Sequence, residues 1–200
     1  MITVAGIGPG SEDLMINKVS RVVEDADLVI GSQRQLELFQ IDDAKKMVLP
    51  KLMVLKDFLL KNIDQNIVLL ASGDPYLYGI ANWIKREIDN QEVEVIPGIS
   101  SIQYLFNRVG IPMNDSYLTS SHGRIPDFDF LLQHKTICMV TDDKIGPYQI
   151  AQEIKQRQQH RTIFIGENLS YLGETITKTN EKDIKNRKYK MNVVLITDEG

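Results

Sequence analysis

Short apolar runs alternate along the chain with longer stretches whose apolar residues recur every three or four positions. A brief unbroken apolar run suits a strand covered on both faces, and a recurrence of three to four suits a helix with one buried side. The pattern predicts strands over 2–7, 28–30, 67–71 and 93–96, and helices over 13–25, 53–62, 76–88 and 100–108. Leu14, Met15, Val19, Val22, Val23 and then Ala26 line one side of the first of these helices. Leu77, Ile80, Ala81, Ile84 and Ile88 line one side of the third. This strand–helix rhythm predicts an α/β fold with a mainly parallel sheet under helices.

Gly110-Ile-Pro-Met-Asn-Asp115 interrupts the rhythm with turn-forming residues. A domain boundary is expected there, dividing the chain into residues 1–114 and 115–200. The second half predicts strands over 117–119, 137–140, 162–165 and 192–197, and a helix over 148–157. Its polar interval 171–179 reads as a hairpin and makes the second sheet mixed, and the polar stretch 178–189 is expected to face solvent.

Composition narrows the class. With 42% hydrophobic and 25% charged residues, the 200-residue chain has the balance of a folded globular protein rather than a disordered one. A net charge of -4 gives no general attraction to nucleic acid, and no such partner is expected. The single cysteine, Cys138, allows no intrachain disulfide, and it sits in an apolar strand-like run that suits packing. His122, His134 and His160 are scattered, so no protein-bound metal is expected. No run reaches the ~20 apolar residues of a membrane helix and the first residues lack a secretory pattern, so a cytoplasmic protein without a membrane partner is expected.

Candidate chemistry gathers where strands end. Gly6-Ile-Gly-Pro-Gly-Ser11 follows the first strand and either forms a structural turn or lets a ligand approach the backbone. It departs from the dinucleotide fingerprint, because Pro9 interrupts it and Ser11 stands at the third glycine. Ala71-Ser-Gly-Asp-Pro-Tyr-Leu-Tyr-Gly79 starts at the end of the third strand, the usual ligand edge of such a sheet. There Gly73 can admit a ligand, while Asp74 either contacts one or caps the helix that Pro75 would begin. In Pro97-Gly-Ile-Ser-Ser101, Ser100 and Ser101 are helix caps or ligand donors, and the segment is not a serine-hydrolase elbow. Ser120-Ser-His-Gly-Arg124 offers His122 and Arg124 either to an anionic ligand or to hydrogen bonds within the protein.

As an ordered set these loops resemble the tetrapyrrole methylase family. The likeness extends to Ala26-Asp-Leu-Val-Ile-Gly-Ser-Gln-Arg34, Val95-Ile-Pro-Gly-Ile-Ser-Ser101, Ser121-His-Gly-Arg124 and Gly166-Glu-Asn-Leu169, and covers nearly the whole chain. The last two segments resemble the branch that methylates C5 of a corrin precursor in anaerobic cobalamin formation. The resemblance implies a class III methyltransferase of two α/β domains, with S-adenosylmethionine in the cleft between them, and a homodimer. Matching positions imply cofactor contacts at Gly73, Asp74, Leu77, Ser100, Ser101, Met139, Val140 and Leu169. The opening loop at Gly8, Pro9 and Gly10 is expected to border the corrin precursor, and Arg34, His122 and Arg124, near strand ends of an acidic chain, are expected to hold its carboxylates. Gln35-Leu-Glu-Leu departs from the usual sequence after Arg34. No catalytic acid or base is assigned, since aligning a sulfonium methyl with an electron-rich ring carbon needs no protein nucleophile. The chain leaves no room for the C15-methylating, decarboxylating domain fused to a related enzyme, so a separate protein is expected to perform that step. Methylation at another ring carbon or of a metal-free ring, methylation of ribosomal RNA or of a modified histidine, and cofactor binding without catalysis are the alternatives.

Overall fold

A computed structural model describes residues 1–89 and 92–198. It divides into two compact units, 1–100 and 101–200.

The first unit carries five strands: β1 (Ile2–Gly6), β2 (Leu28–Gly31), β3 (Lys46–Val48), β4 (Ile67–Ala71) and β5 (Val93–Ile96). They form one parallel sheet in the order β3-β2-β4-β1-β5. Side chains of a strand alternate between faces, so each buried run serves two cores. Ile2, Val4, Ile67 and Leu69 pack with Leu55 and Leu59 of α3 (Leu52–Lys61) and Ala81 and Ile84 of α4 (Ala81–Glu87). Ala5, Val68, Leu70 and Ile96 pack with Val19 and Val23 of α1 (Asn17–Glu24) and Leu36 of α2 (Gln33–Leu36). The chain leaves β1 toward β2 and leaves β4 toward β5, which makes the adjacent ends of β1 and β4 the topological switch point. Open α/β sheets bind ligands at such a point.

The second unit contains α5 (Ser101–Val109), β6 (Tyr117–Ser120), α6 (Phe128–Leu131), β7 (Thr136–Val140), α7 (Pro147–Gln156), β8 (Thr162–Glu167), β9 (Thr175–Asn180) and β10 (Asn192–Thr197). The sheet runs β6-β7-β10-β8-β9, with β6 and β7 parallel and the remaining pairs antiparallel. It is mixed, as the hairpin-like interval implied. Ile137, Met139, Ile163, Ile165, Val194 and Ile196 face α6 and α7. Ile102, Leu105 and Phe106 form the buried stripe of α5, which packs along β7 and β10.

Four expectations change. Packing of α5 onto β7 and β10 places it with the second unit, so the structural division falls at Ser100/Ser101 rather than at Asn114/Asp115. The helix expected over 76–88 begins at Ala81, because Tyr78 has a left-handed φ of 56° and the 74–80 segment is a turn. The helix expected over 13–25 is a single 3-10 turn at Glu12–Leu14 followed by α1. Residues 178–189 are not simply solvent-facing: they begin inside β9, and Glu181 and Ile184 are buried.

Candidate functional site

In the first unit, three loops leave the adjacent ends of β4, β1 and β5 and pack backbone against backbone. Gly73 N–H donates to the Gly8 carbonyl at 2.9 Å. A methyl placed on Gly6 would lie 2.6 Å from Gly98 N and 2.7 Å from the Gly73 carbonyl oxygen, and one on Gly98 would collide with that same oxygen. The glycines at 6 and 98 are therefore required by loop-to-loop packing. Gly8 (φ 79°) and Gly73 (φ 66°) also adopt conformations that L side chains avoid. Pro9 and Gly10 are buried beside them.

Asp74 organises this junction. Its Oδ1 accepts from Tyr76 N (2.8 Å) and Leu77 N (3.2 Å), and its Oδ2 accepts from Gly98 N (3.4 Å). It closes a turn and does not cap α4, which starts seven residues later at Ala81. Leu77 is half-buried in that turn, and Ser100 is buried at the end of the unit. A neighbouring loop joins through Gln35. Ser32 and Gln35 form a reciprocal capping box at α2, and Gln35 Nε2 donates to Ser72 Oγ at 3.0 Å. The sequence following Arg34 was read only as a departure, although the Ser32-x-x-Gln35 spacing is itself a capping signal. Through this box Arg34 is held, exposed, on the first turn of α2 at the same sheet edge as Gly8–Gly10 and Gly73–Leu77.

In the second unit, strand register places the ends of β6, β7 and β8 at one edge with the start of β10. His122 and Arg124 follow β6, and both are exposed. The Arg124 guanidinium turns back, donating from Nε to Ser120 O (2.7 Å) and from Nη2 to Thr119 Oγ1 (2.9 Å). Asp142 ties the loops after β6 and β7 together. Hydrogen bonds from Ile145 N and Gly123 N, with Lys144 N and the nearby His122, hold its carboxyl below the usual range.

Ser101 opens α5, and Val140 is half-buried at the end of β7. Met139 is fully buried in the core and its strand is paired on both sides, so the structure does not present it to a ligand, against the expected cofactor contact there. Leu169 is buried against Gly166, where an added methyl would lie 2.7 Å from a Leu169 methyl and 3.0 Å from one of Leu105. Glu167, between them, is buried and accepts from Arg187 Nη1 (3.1 Å), Arg187 Nη2 (2.5 Å) and Lys190 N (2.9 Å). Arg187 draws the Glu167 carboxyl below its ordinary range, against the opposing effect of burial. No local spacing reveals this pair, because its members lie on separate elements.

The donor set of the first unit suits S-adenosylmethionine better than a nucleotide phosphate. Segments 72–79 and 97–101 supply backbone groups, hydroxyls and apolar contacts, but no lysine or arginine. The first glycine loop runs into the 3-10 turn Glu12–Leu14, not into the N-terminus of a long helix as in a pyrophosphate site. Among the described residues, no group of three or more His, Cys, Asp or Glu side chains is arranged to hold a metal ion. No helix among them is long and apolar enough to cross a membrane.

Two Rossmann-like α/β units with these strand-end loops define the class III S-adenosylmethionine-dependent methyltransferase fold. The model of the Tetrapyrrole (Corrin/Porphyrin) Methylases matches residues 1–185. The chain is 39% identical over 201 residues to cobalt-precorrin-7 C(5)-methyltransferase of Salmonella typhimurium, covering 100% of both chains. It is 34% identical to the probable cobalt-precorrin-7 C(5)-methyltransferase of Methanocaldococcus jannaschii, covering 93% of this chain and 92% of that one. The fold matches the crystal structure of the cobalamin biosynthesis precorrin-6Y methylase from Archaeoglobus fulgidus with a TM-score of 0.80 and 21% identity, over 100% of this chain and 99% of that one. The chain belongs to the tetrapyrrole methylase family. It is, at that level, an S-adenosylmethionine-dependent methyltransferase.

Proposed function

We propose that the protein transfers a methyl group from S-adenosylmethionine to C5 of cobalt-precorrin-7, a step in anaerobic cobalamin formation. The observation that carries this reading is the 39% identity to a cobalt-precorrin-7 C(5)-methyltransferase along the full length of both chains. When bound, the cofactor supplies an electrophilic methyl on a sulfonium. The chain's own residues bind and orient. Gly73, Leu77, Ser100, Ser101, Val140 and Leu169 are the contacts we assign to the cofactor. Asp74 holds the 74–80 turn that presents Leu77.

Methyl transfer to an electron-rich ring carbon depends mainly on alignment, which fixed backbone and short side chains provide. The depressed carboxylates Asp142, Glu167, Glu174 and Glu181 are each engaged by hydrogen-bond donors, so none is poised as a general base. Arg34 and His122 are assigned to the substrate's carboxylates, with Gly8–Gly10 bordering the ring. Cobalt belongs to the substrate.

A cytoplasmic homodimer is part of this reading. The exposed apolar side chains Val48 of β3 and Leu52, Met53, Val54 and Leu60 of α3 are the surface we assign to the second copy.

The test is an anaerobic assay of the purified protein with methyl-labelled S-adenosylmethionine and cobalt-precorrin-7. One methyl should be added, without loss of carbon dioxide, and ring mapping should place it at C5. No transfer, or a methyl on another carbon, overturns the proposal.

A further inference from the structure

The turn between β8 and β9, residues 168–174, is unusually constrained. Asn168 (φ 48°) and Ser170 (φ 65°) are both left-handed without being glycine. Such conformations persist only where the surroundings enforce them. Here Asn168 N donates to Met191 O (2.9 Å), Tyr171 N to Asn168 O (2.9 Å) and Glu174 N to Tyr171 O (3.0 Å). Ser170 N donates to Glu174 Oε2 at 2.6 Å. Helix α5 reaches the same carboxylate: Arg108 Nε donates to Glu174 Oε1 at 2.9 Å, and the Tyr104 hydroxyl donates to Glu174 as well. The largely buried Glu174 carboxylate thus fastens the turn to α5.

At the tip of this braced turn stands Leu172, fully exposed, followed by Gly173 in open space. Isolated exposed leucines are ordinary, but this one has company. Strand register brings the loop after β6 and the start of β10 to the same edge of the sheet. Those segments carry Ile125, 83% exposed, and Met191, 50% exposed. An exposed cation, Lys190, adjoins Met191 in sequence. Three apolar side chains from three segments of one sheet edge, with Lys190 beside one of them, complement a ligand with a broad apolar face and carboxylates on its rim. A tetrapyrrole has that chemistry.

We infer that Leu172, with Ile125 and Met191, forms an apolar rest for the substrate macrocycle, and that Glu174 is the positioning residue that holds Leu172 in place. This inference rests on the function proposed above.

The test compares wild type with Leu172→Asp, Glu174→Ala and Glu174→Gln. Leu172 is solvent-exposed, so its substitution leaves the folded core intact. Losing an apolar contact and placing a carboxylate against an anionic ligand should raise KM for cobalt-precorrin-7 by about tenfold or more in Leu172→Asp, with kcat changed by less than about threefold. Its Kd for S-adenosylhomocysteine and its mass by light scattering should match wild type. Glu174→Ala should raise KM for the precursor, and Glu174→Gln should restore most of it by keeping an acceptor for Ser170 N. A wild-type KM in Leu172→Asp overturns the inference, as does a change in its oligomeric mass, which would make this edge a contact between copies. Wild-type protein that methylates no tetrapyrrole would instead overturn the proposed function and this inference with it.

Discussion

Asp74 spends both carboxylate oxygens on backbone N–H groups, so its effect on a ligand is exerted through the turn it closes. Asp74→Asn keeps an acceptor for Tyr76 and Leu77 but can set an amide donor against Gly98 N–H. Losing one such bond is worth about 1 kcal/mol. Calorimetry should show S-adenosylhomocysteine binding weakened about fivefold, with Tm lower by about 2–4 °C. Unchanged affinity at a lowered Tm would leave Asp74 a purely structural role. The two arginines assigned to the anionic substrate differ in place: Arg124 donates to its own strand end, and Arg34 lies on the first turn of α2. Arg34→Ala should raise KM for the precursor about tenfold through a lost charge-assisted contact. Arg124→Ala should lower Tm. Equal KM in Arg34→Ala and wild type would remove Arg34 from the substrate site.

Among the elements, the junction of the β1, β4 and β5 loops is the least tolerant of added volume. Gly98→Ala forces a methyl against the Gly73 carbonyl and the Gly6 backbone, with no flexible side chain to yield. Overpacking of this kind costs about 1–3 kcal/mol or more, measurable by chemical denaturation. Wild-type stability in Gly98→Ala would mean that the loops separate readily. In the second unit, Glu167 links the end of β8 to Arg187 and Lys190. Glu167→Gln should destabilise by about 2 kcal/mol at neutral pH. The folded pKa is depressed, chiefly by the Arg187 hydrogen bonds. The stabilisation is therefore complete above the ordinary carboxylate pKa of about 4.3, and is lost as pH falls through the lower folded value. The stability gap between wild type and Glu167→Gln should close in acid. A gap that stays constant down to the acid limit would show that charge is not its source.

For the whole molecule, the two sheets place their strand-end loops by different means. In the parallel sheet of the first unit, each crossover returns the chain to the same side, so the loops after β1, β2, β4 and β5 share one edge. The second sheet reverses direction between β7, β10, β8 and β9, and there the shared edge also takes in the β8–β9 turn and the start of β10. Residues that are distant in the chain, such as Ile125, Leu172 and Met191, are brought to that one edge by strand register.

The sequence by itself determined the α/β alternation, most of the strands, the positions of the glycine loops and the family likeness. All of these depend on local composition and spacing. Apolar runs such as Ile67–Ala71 and the Val19/Val23 repeat identify their elements without knowledge of a partner, because burial periodicity is set by backbone geometry. Tertiary structure alone decided what those elements do to one another. Short α2 and β3, with few residues to carry a period, form because neighbouring elements complete them. The 76–80 segment has helical spacing yet is turned aside by the Asp74 bonds and a left-handed Tyr78. Gly6, whose loop the sequence leaves open between a structural turn and a ligand approach, is pressed against the backbone of Gly73 and Gly98. Glu167 with Arg187, and Glu174 with Arg108, were illegible because a hydrogen bond between separate elements depends on strand register and helix packing, which leave no fixed spacing in the chain.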